Sequence, residues 1–241
     1  MFFKTDGIVL GIVPYDDKKS FVKILTNEFG LVSYAISNTH SKRSKLHKSL
    51  FTPFNILEMD VTHKPDRTIQ KINEARIKDF MINLYSDPVK NSIILFLSEF
   101  LSKSIHQGEN NKTLFEFIYD SIHLLNLLEK GVGNFHLIFL IKLTEFLGFR
   151  INKESYSEGF IFDLLEGRFS GAIPHHTYYL NPEGSYEIYY ILSLSFSDLE
   201  RLTLTRDKKN SLLDTMLDYY NLHVPGMNKI KSLDILKTLF S

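Results

Sequence analysis

Ser20-Phe-Val-Lys-Ile-Leu-Thr26, then Asn27-Glu-Phe-Gly30, then Leu31-Val-Ser-Tyr-Ala-Ile-Ser37 reads as strand, turn, strand. β-branched and aromatic residues crowd both runs, and an Asn and a Gly supply the short connection, so the segment predicts a hairpin. Working outward, runs of the same kind occupy 4–13 before it and 54–63 and 67–77 after it, the last two joined by Lys64, Pro65 and Asp66. Five short strands in about eighty residues, with one longer connection after the third, predict a small closed β-barrel of the OB type. An SH3-like barrel fits the same pattern.

Beyond Tyr85 the spacing of apolar residues changes from strand-like to helical. Ser86, Asp87 and Pro88 supply a cap and a first-turn proline ahead of Ile93, Ile94, Leu97, Phe100 and Leu101. Similar periodic segments at 113–128, 134–147 and 209–222 predict further helices. The expected fold class is therefore α+β in two domains, an OB-type barrel over 1–80 and an α-helical domain over 81–241. Gly148, Gly159, Gly167, Gly171 and two prolines make 148–182 an irregular insert within the second.

Composition narrows the function. With 241 residues, 44% of them hydrophobic and 23% charged, the chain has the make-up of a folded globular protein. Its apolar runs are too short for a spanning helix and the stretch 8–13 too short for a signal-peptide core, so a cytoplasmic protein is expected. The absence of cysteine excludes disulfides, thiolate metal sites and cysteine nucleophiles. Lys plus Arg and Asp plus Glu balance at 28 each, yet residues 1–80 hold 13 bases against 9 acids. The first part is net positive and the remainder net negative by the same amount.

The strongest electrostatic feature lies in an acid-free gap from Phe29 to Leu57, where Lys42, Arg43, Lys45 and Lys48 fall close together. Such a segment attracts phosphate backbones through counterion release, and beside an OB barrel it would track a single strand. Four contacts would give a salt slope of about −2.8. A solvated surface loop is the plain alternative. Phe21, Phe29, Tyr34 and Phe54 are the candidate stacking aromatics, with Tyr34 preferred, although most aromatic residues of a small barrel fill its interior. His175 and His176 lie near Asp163 and Glu166, but adjacent residues on an extended chain point apart, which argues against a metal site. His106, His123 and His136 are isolated on helical segments. With no phosphate-binding glycine loop, nucleophile elbow or paired-histidine helix, the sequence predicts no catalytic residue, no metal and no cofactor, and so a binding protein rather than an enzyme.

Several motifs, taken in order, carry a family resemblance. Gly7-Ile-Val-Leu10, Tyr15, and Val22-Lys-Ile-Leu-Thr-Asn-Glu-Phe-Gly-Leu-Val-Ser-Tyr34 resemble the start of the RecO family of DNA repair and recombination proteins. The likeness continues through 41–50, Pro53-Phe54, Leu57-Glu58 and Glu74-Ala75, and returns in Leu213, Leu217, Tyr220, His223 and Lys231-Ser-Leu-Asp-Ile-Leu236. It implies an OB barrel followed by a helical domain. It also implies a recombination mediator that binds single- and double-stranded DNA, anneals complementary strands and helps load recombinase onto DNA coated by single-strand-binding protein. The implied partners are RecR, in some lineages RecF, and the acidic C-terminal tail of single-strand-binding protein, with the protein at the nucleoid.

Two departures stand out. Many relatives carry a four-cysteine cluster after a Leu-Gly-Phe segment, matched here by Leu147-Gly148-Phe149, but this chain has no cysteine. Phe160, Phe162, Leu164, Leu165, Phe169 and Tyr179 are expected to take its place with an apolar cluster. Where relatives carry Arg-Phe-Glu-like residues, Ile138-Phe139-Leu140 keeps only the aromatic, leaving Phe139 and Lys142 as candidates for holding the acidic tail. Rival readings are an OB-type RNA-binding protein, a structural adaptor, and a hydrolase using Asp163, Glu166 and His175.

Overall fold

The computed structural model describes residues 1–37, 46–108, 110–227 and 229–239. Its first five strands are β1 (Phe2–Pro14), β2 (Lys19–Thr26), β3 (Gly30–Ser37), β4 (Ile56–Thr62) and β5 (Ile69–Asp79). They close a barrel in the order β1-β2-β3-β5-β4. β3 and β5 run parallel, and β1 pairs with both β2 and β4. That order and closure are those of an OB-type barrel, which settles the choice left open with an SH3-like one.

Closure follows from side-chain alternation. Val22 and Ile24 on β2, Val32, Tyr34 and Ile36 on β3, and Leu57, Met59 and Val61 on β4 all point inward and pack together. Phe51, from a 3-10 turn at Lys48–Phe51, joins this core. The register of β1 against β2 shifts between Val9 and Gly11, a bulge of the kind that bends a strand around a barrel.

Three helices follow, α1 (Ile82–Ser86), α2 (Pro88–Ser104) and α3 (Lys112–Leu127). Asp87 caps α2, its Oδ1 accepting from the Val89 and Lys90 backbone N–H groups, with Pro88 in the first turn. These helices pack on the barrel. Lys23 Nζ donates to Ser102 O at 3.0 Å, Tyr119 Oη to Asp79 Oδ2 at 2.8 Å, and Gln107 Nε2 to Ser33 Oγ at 3.1 Å. Consequently the chain divides into compact units Met1–Leu127 and Leu128–Ser241, whereas the change from strands to helices falls near residue 80.

The second unit contains α4 (Phe135–Phe146), three short strands β6 (Ile161–Asp163), β7 (Arg168–Ser170) and β8 (Tyr179–Leu180), then α5 (Pro182–Leu192), α6 (Arg206–His223) and α7 (Leu233–Leu239). The segment read as irregular therefore holds a small antiparallel sheet in the order β7-β6-β8. Buried residues cover every side of α4, which runs through the core of this unit. Tyr220 Oη donates to Leu140 O at 2.8 Å, tying α6 to α4, and Tyr219 Oη donates to Phe149 O at 2.8 Å.

Candidate nucleic-acid interface

Two connections and two strands of the barrel bring five cations to one groove of 890 Å³. Lys18 and Lys19 come from the β1–β2 turn and the start of β2, Lys64 and Arg67 from the β4–β5 connection, and Lys71 from β5. Among the described residues no carboxylate lines this groove, although Asp16, Asp17 and Asp66 stand in the same connections, and none of the five cations forms an ion pair. The strand 2 and 3 face between these two connections is where OB barrels take up oligonucleotides and oligosaccharides. Ammonium and guanidinium groups that are solvated and unpaired remain available to a polyanion.

The local structure holding these cations is specific. Asp16 Oδ1 accepts from the Lys18 and Lys19 backbone N–H groups at 2.7 and 2.6 Å, fixing the β1–β2 turn. Gln70 is buried, and its amide folds the β4–β5 connection around itself. Nε2 donates to Lys64 O at 2.8 Å and to Arg67 O at 2.5 Å, while Oε1 accepts from Lys64 N at 2.8 Å. One interior side chain thus sets the path of the backbone that carries Lys64 and Arg67.

Of the cations singled out from sequence, Lys42, Arg43 and Lys45 lie outside the described residues. Lys48 opens the 3-10 turn and is exposed. Ser37 and Leu46, the described residues flanking that segment, both line the groove. Downstream, Asn55 Nδ2 donates to Ser49 O and Leu50 O, each at 3.0 Å, anchoring the returning chain.

The preference for Tyr34 as a stacking ring is corrected. Its side chain is 0% exposed inside the barrel, and burial pushes its hydroxyl well above the usual tyrosine range. Tyr34 shares its parity with Val32 and Ile36, so alternation carries it inward. Phe54 is likewise buried, and Phe29 stacks on His63 with centroids 4.1 Å apart. Phe21, of the opposite parity to Val22 and Ile24, is the candidate that turns outward. The five groove cations escaped sequence reading because they are scattered from 18 to 71 and form no run; the loops of the predicted barrel were the signal that pointed to them.

In the second unit Phe139 is 1% exposed and packs on Phe135 within α4, so it offers no surface to an acidic tail, a second correction. Lys142 on the same helix is half-buried. Of the residues expected to replace the relatives' metal, Phe162, Leu164 and Phe169 are buried, Phe160 and Tyr179 are half-buried and Leu165 is exposed. Tyr156, Tyr189 and Tyr219 complete the aromatic cluster around Phe162 and Phe169. Phenylalanine and tyrosine rings fill this place, and they are not the Cys, His, Asp or Glu ligands that zinc takes. Asp163 Oδ1 caps a turn by accepting from Leu165 N and Glu166 N, its Oδ2 lies 3.3 Å from His176 Nε2, and His175 is exposed. Among the described residues no group of three or more His, Asp or Glu side chains stands close enough to hold a metal ion.

Comparison with known proteins agrees with this architecture. The family described as Recombination protein O N terminal matches residues 1–81, and that described as Recombination protein O C terminal matches 85–234. Proteins named DNA repair protein RecO are similar over their whole lengths and the whole of this chain. Those of Azobacteroides pseudotrichonymphae, Phocaeicola vulgatus and Porphyromonas gingivalis are 38%, 36% and 35% identical to it. Among the described residues no helix is long and apolar enough to cross a membrane.

Proposed function

The chain belongs to the RecO family, with a role in DNA repair recombination, and from that premise we propose that it is a recombination mediator working by binding rather than catalysis. Single- and double-stranded DNA would lie along the barrel groove. What supports this most is the convergence of Lys18, Lys19, Lys64, Arg67 and Lys71 on one groove. Lys42, Arg43, Lys45 and Lys48 belong to a connection whose flanking residues Ser37 and Leu46 line the same groove, and in this reading they add phosphate contacts to it.

Cations that neutralise the phosphates of two strands lower their mutual repulsion, and base pairing then drives annealing without any chemical step. Helping to load recombinase onto strands already coated by single-strand-binding protein is the task assigned to the rest of the chain. RecR, the acidic tail of single-strand-binding protein, with Lys142 as its candidate contact, and RecF are the partners this reading puts forward.

Fluorescence-detected annealing of complementary oligonucleotides tests the proposal. The wild type is expected to accelerate annealing, and a variant with the five groove cations changed to Ala to lose most of that acceleration. Equal annealing by the two proteins would place the DNA elsewhere. A wild type without effect, or with a preference for RNA oligonucleotides, would favour the adaptor or the RNA-binding reading.

A further inference from the structure

Exposed aromatic rings flank the cationic groove on two sides. Phe2 lines it and is 80% exposed. At the other side Tyr15, 69% exposed, packs against half-buried Phe21, with ring centroids 4.9 Å apart and planes at 50°. Strand register fixes where that pair lies. Phe21 stands opposite Ala35 on β3, Ala35 stands beside Lys71 on β5, and both Ala35 and Lys71 line the groove. Neighbouring strands lie about 4.8 Å apart, so Phe21, Ala35 and Lys71, all of outward parity, form one row across the outer face. Tyr15 is held to the same edge because its backbone N–H donates to Lys19 O at 3.2 Å.

Cations interleaved with aromatic faces are the signature of single-strand binding, in which the charges follow the phosphates and the rings stack on unpaired bases. In a duplex the bases already stack on one another, and their faces are closed to side chains. We propose that Phe2 and the Tyr15–Phe21 pair are base-stacking platforms that give this groove a preference for single-stranded over duplex DNA. This rests on the groove being the DNA site. The rings supply the discrimination and the cations supply affinity that both forms of DNA share.

The test is titration of matched single-stranded and duplex oligonucleotides at fixed salt, with 2-aminopurine in the single strand to report stacking. The proteins compared are the wild type, a Phe2→Ala, Tyr15→Ala, Phe21→Leu variant, and the five-cation Ala variant. Leucine at 21 keeps apolar bulk on the strand, and matching thermal melts show that the fold is kept. The aromatic variant is expected to bind single strands about tenfold or more weakly, with the 2-aminopurine signal changed and duplex affinity kept. Unchanged single-strand affinity in that variant, while the cation variant weakens both DNA forms, overturns the stacking inference alone. Equal binding of both DNA forms by all three proteins overturns the groove as the DNA site and the inference with it.

Discussion

Protonating His136 costs the folded chain more than the unfolded one. Its ring is fully buried on α4, and burial, reinforced by the positive charge of Lys209, lowers its pKa from 6.5 to about 3. A base whose folded pKa lies below its unfolded value takes up its proton more readily when unfolded. Stability is therefore full above about pH 6.5 and falls as the pH drops from there towards 3, by up to about 1.4 kcal/mol per pH unit. Denaturant melts at pH 7, 6 and 5 should show this decline and a shallower one in His136→Leu. Identical slopes in the two proteins would show that His136 is not the group responsible. The sequence placed this histidine on a helical segment, and it lies on α4. At the same scale, Tyr34 and Phe21 show what alternation offers: Val22 and Ile24 are inward residues of β2, so Phe21 is outward, and Val32 and Ile36 put Tyr34 inside. The parity was legible in the sequence, but choosing between the two faces of each strand required knowing which one the barrel encloses.

Elements were legible in proportion to their length. The five barrel strands and α2, α3, α4 and α6 lie within a few residues of their expected spans, because each carries enough residues for its period to show. β6, β7 and β8 have three, three and two residues, too few to display alternation. α5 begins at Asn181-Pro182, with Asn181 Oδ1 accepting from Gly184 N, the same start signal as Asp87-Pro88; the glycine in its first turn and the glycine-rich stretch before it concealed the helix. Gln70→Ala removes the amide that binds Lys64 O, Lys64 N and Arg67 O, which should cost about 1–3 kcal/mol of stability. It should also weaken DNA binding although every cation is kept. Measured by chemical denaturation and oligonucleotide titration, a variant as stable and as tight-binding as the wild type would deny Gln70 its organising part.

Across the whole molecule the charge balance is zero while the first eighty residues are net positive, an asymmetry readable from the sequence. What could not be read was the assembly of that charge, since Lys18, Lys19, Lys64, Arg67 and Lys71 meet only when the barrel closes. Whether this groove holds DNA through its cations is decided by the salt dependence of single-strand affinity. The logarithm of the binding constant, plotted against the logarithm of salt concentration, should have a slope shallower by about 3.5 when all five cations are Ala, because each phosphate contact to a single strand contributes about 0.7. An unchanged slope in that variant would show that these five cations do not contact the DNA.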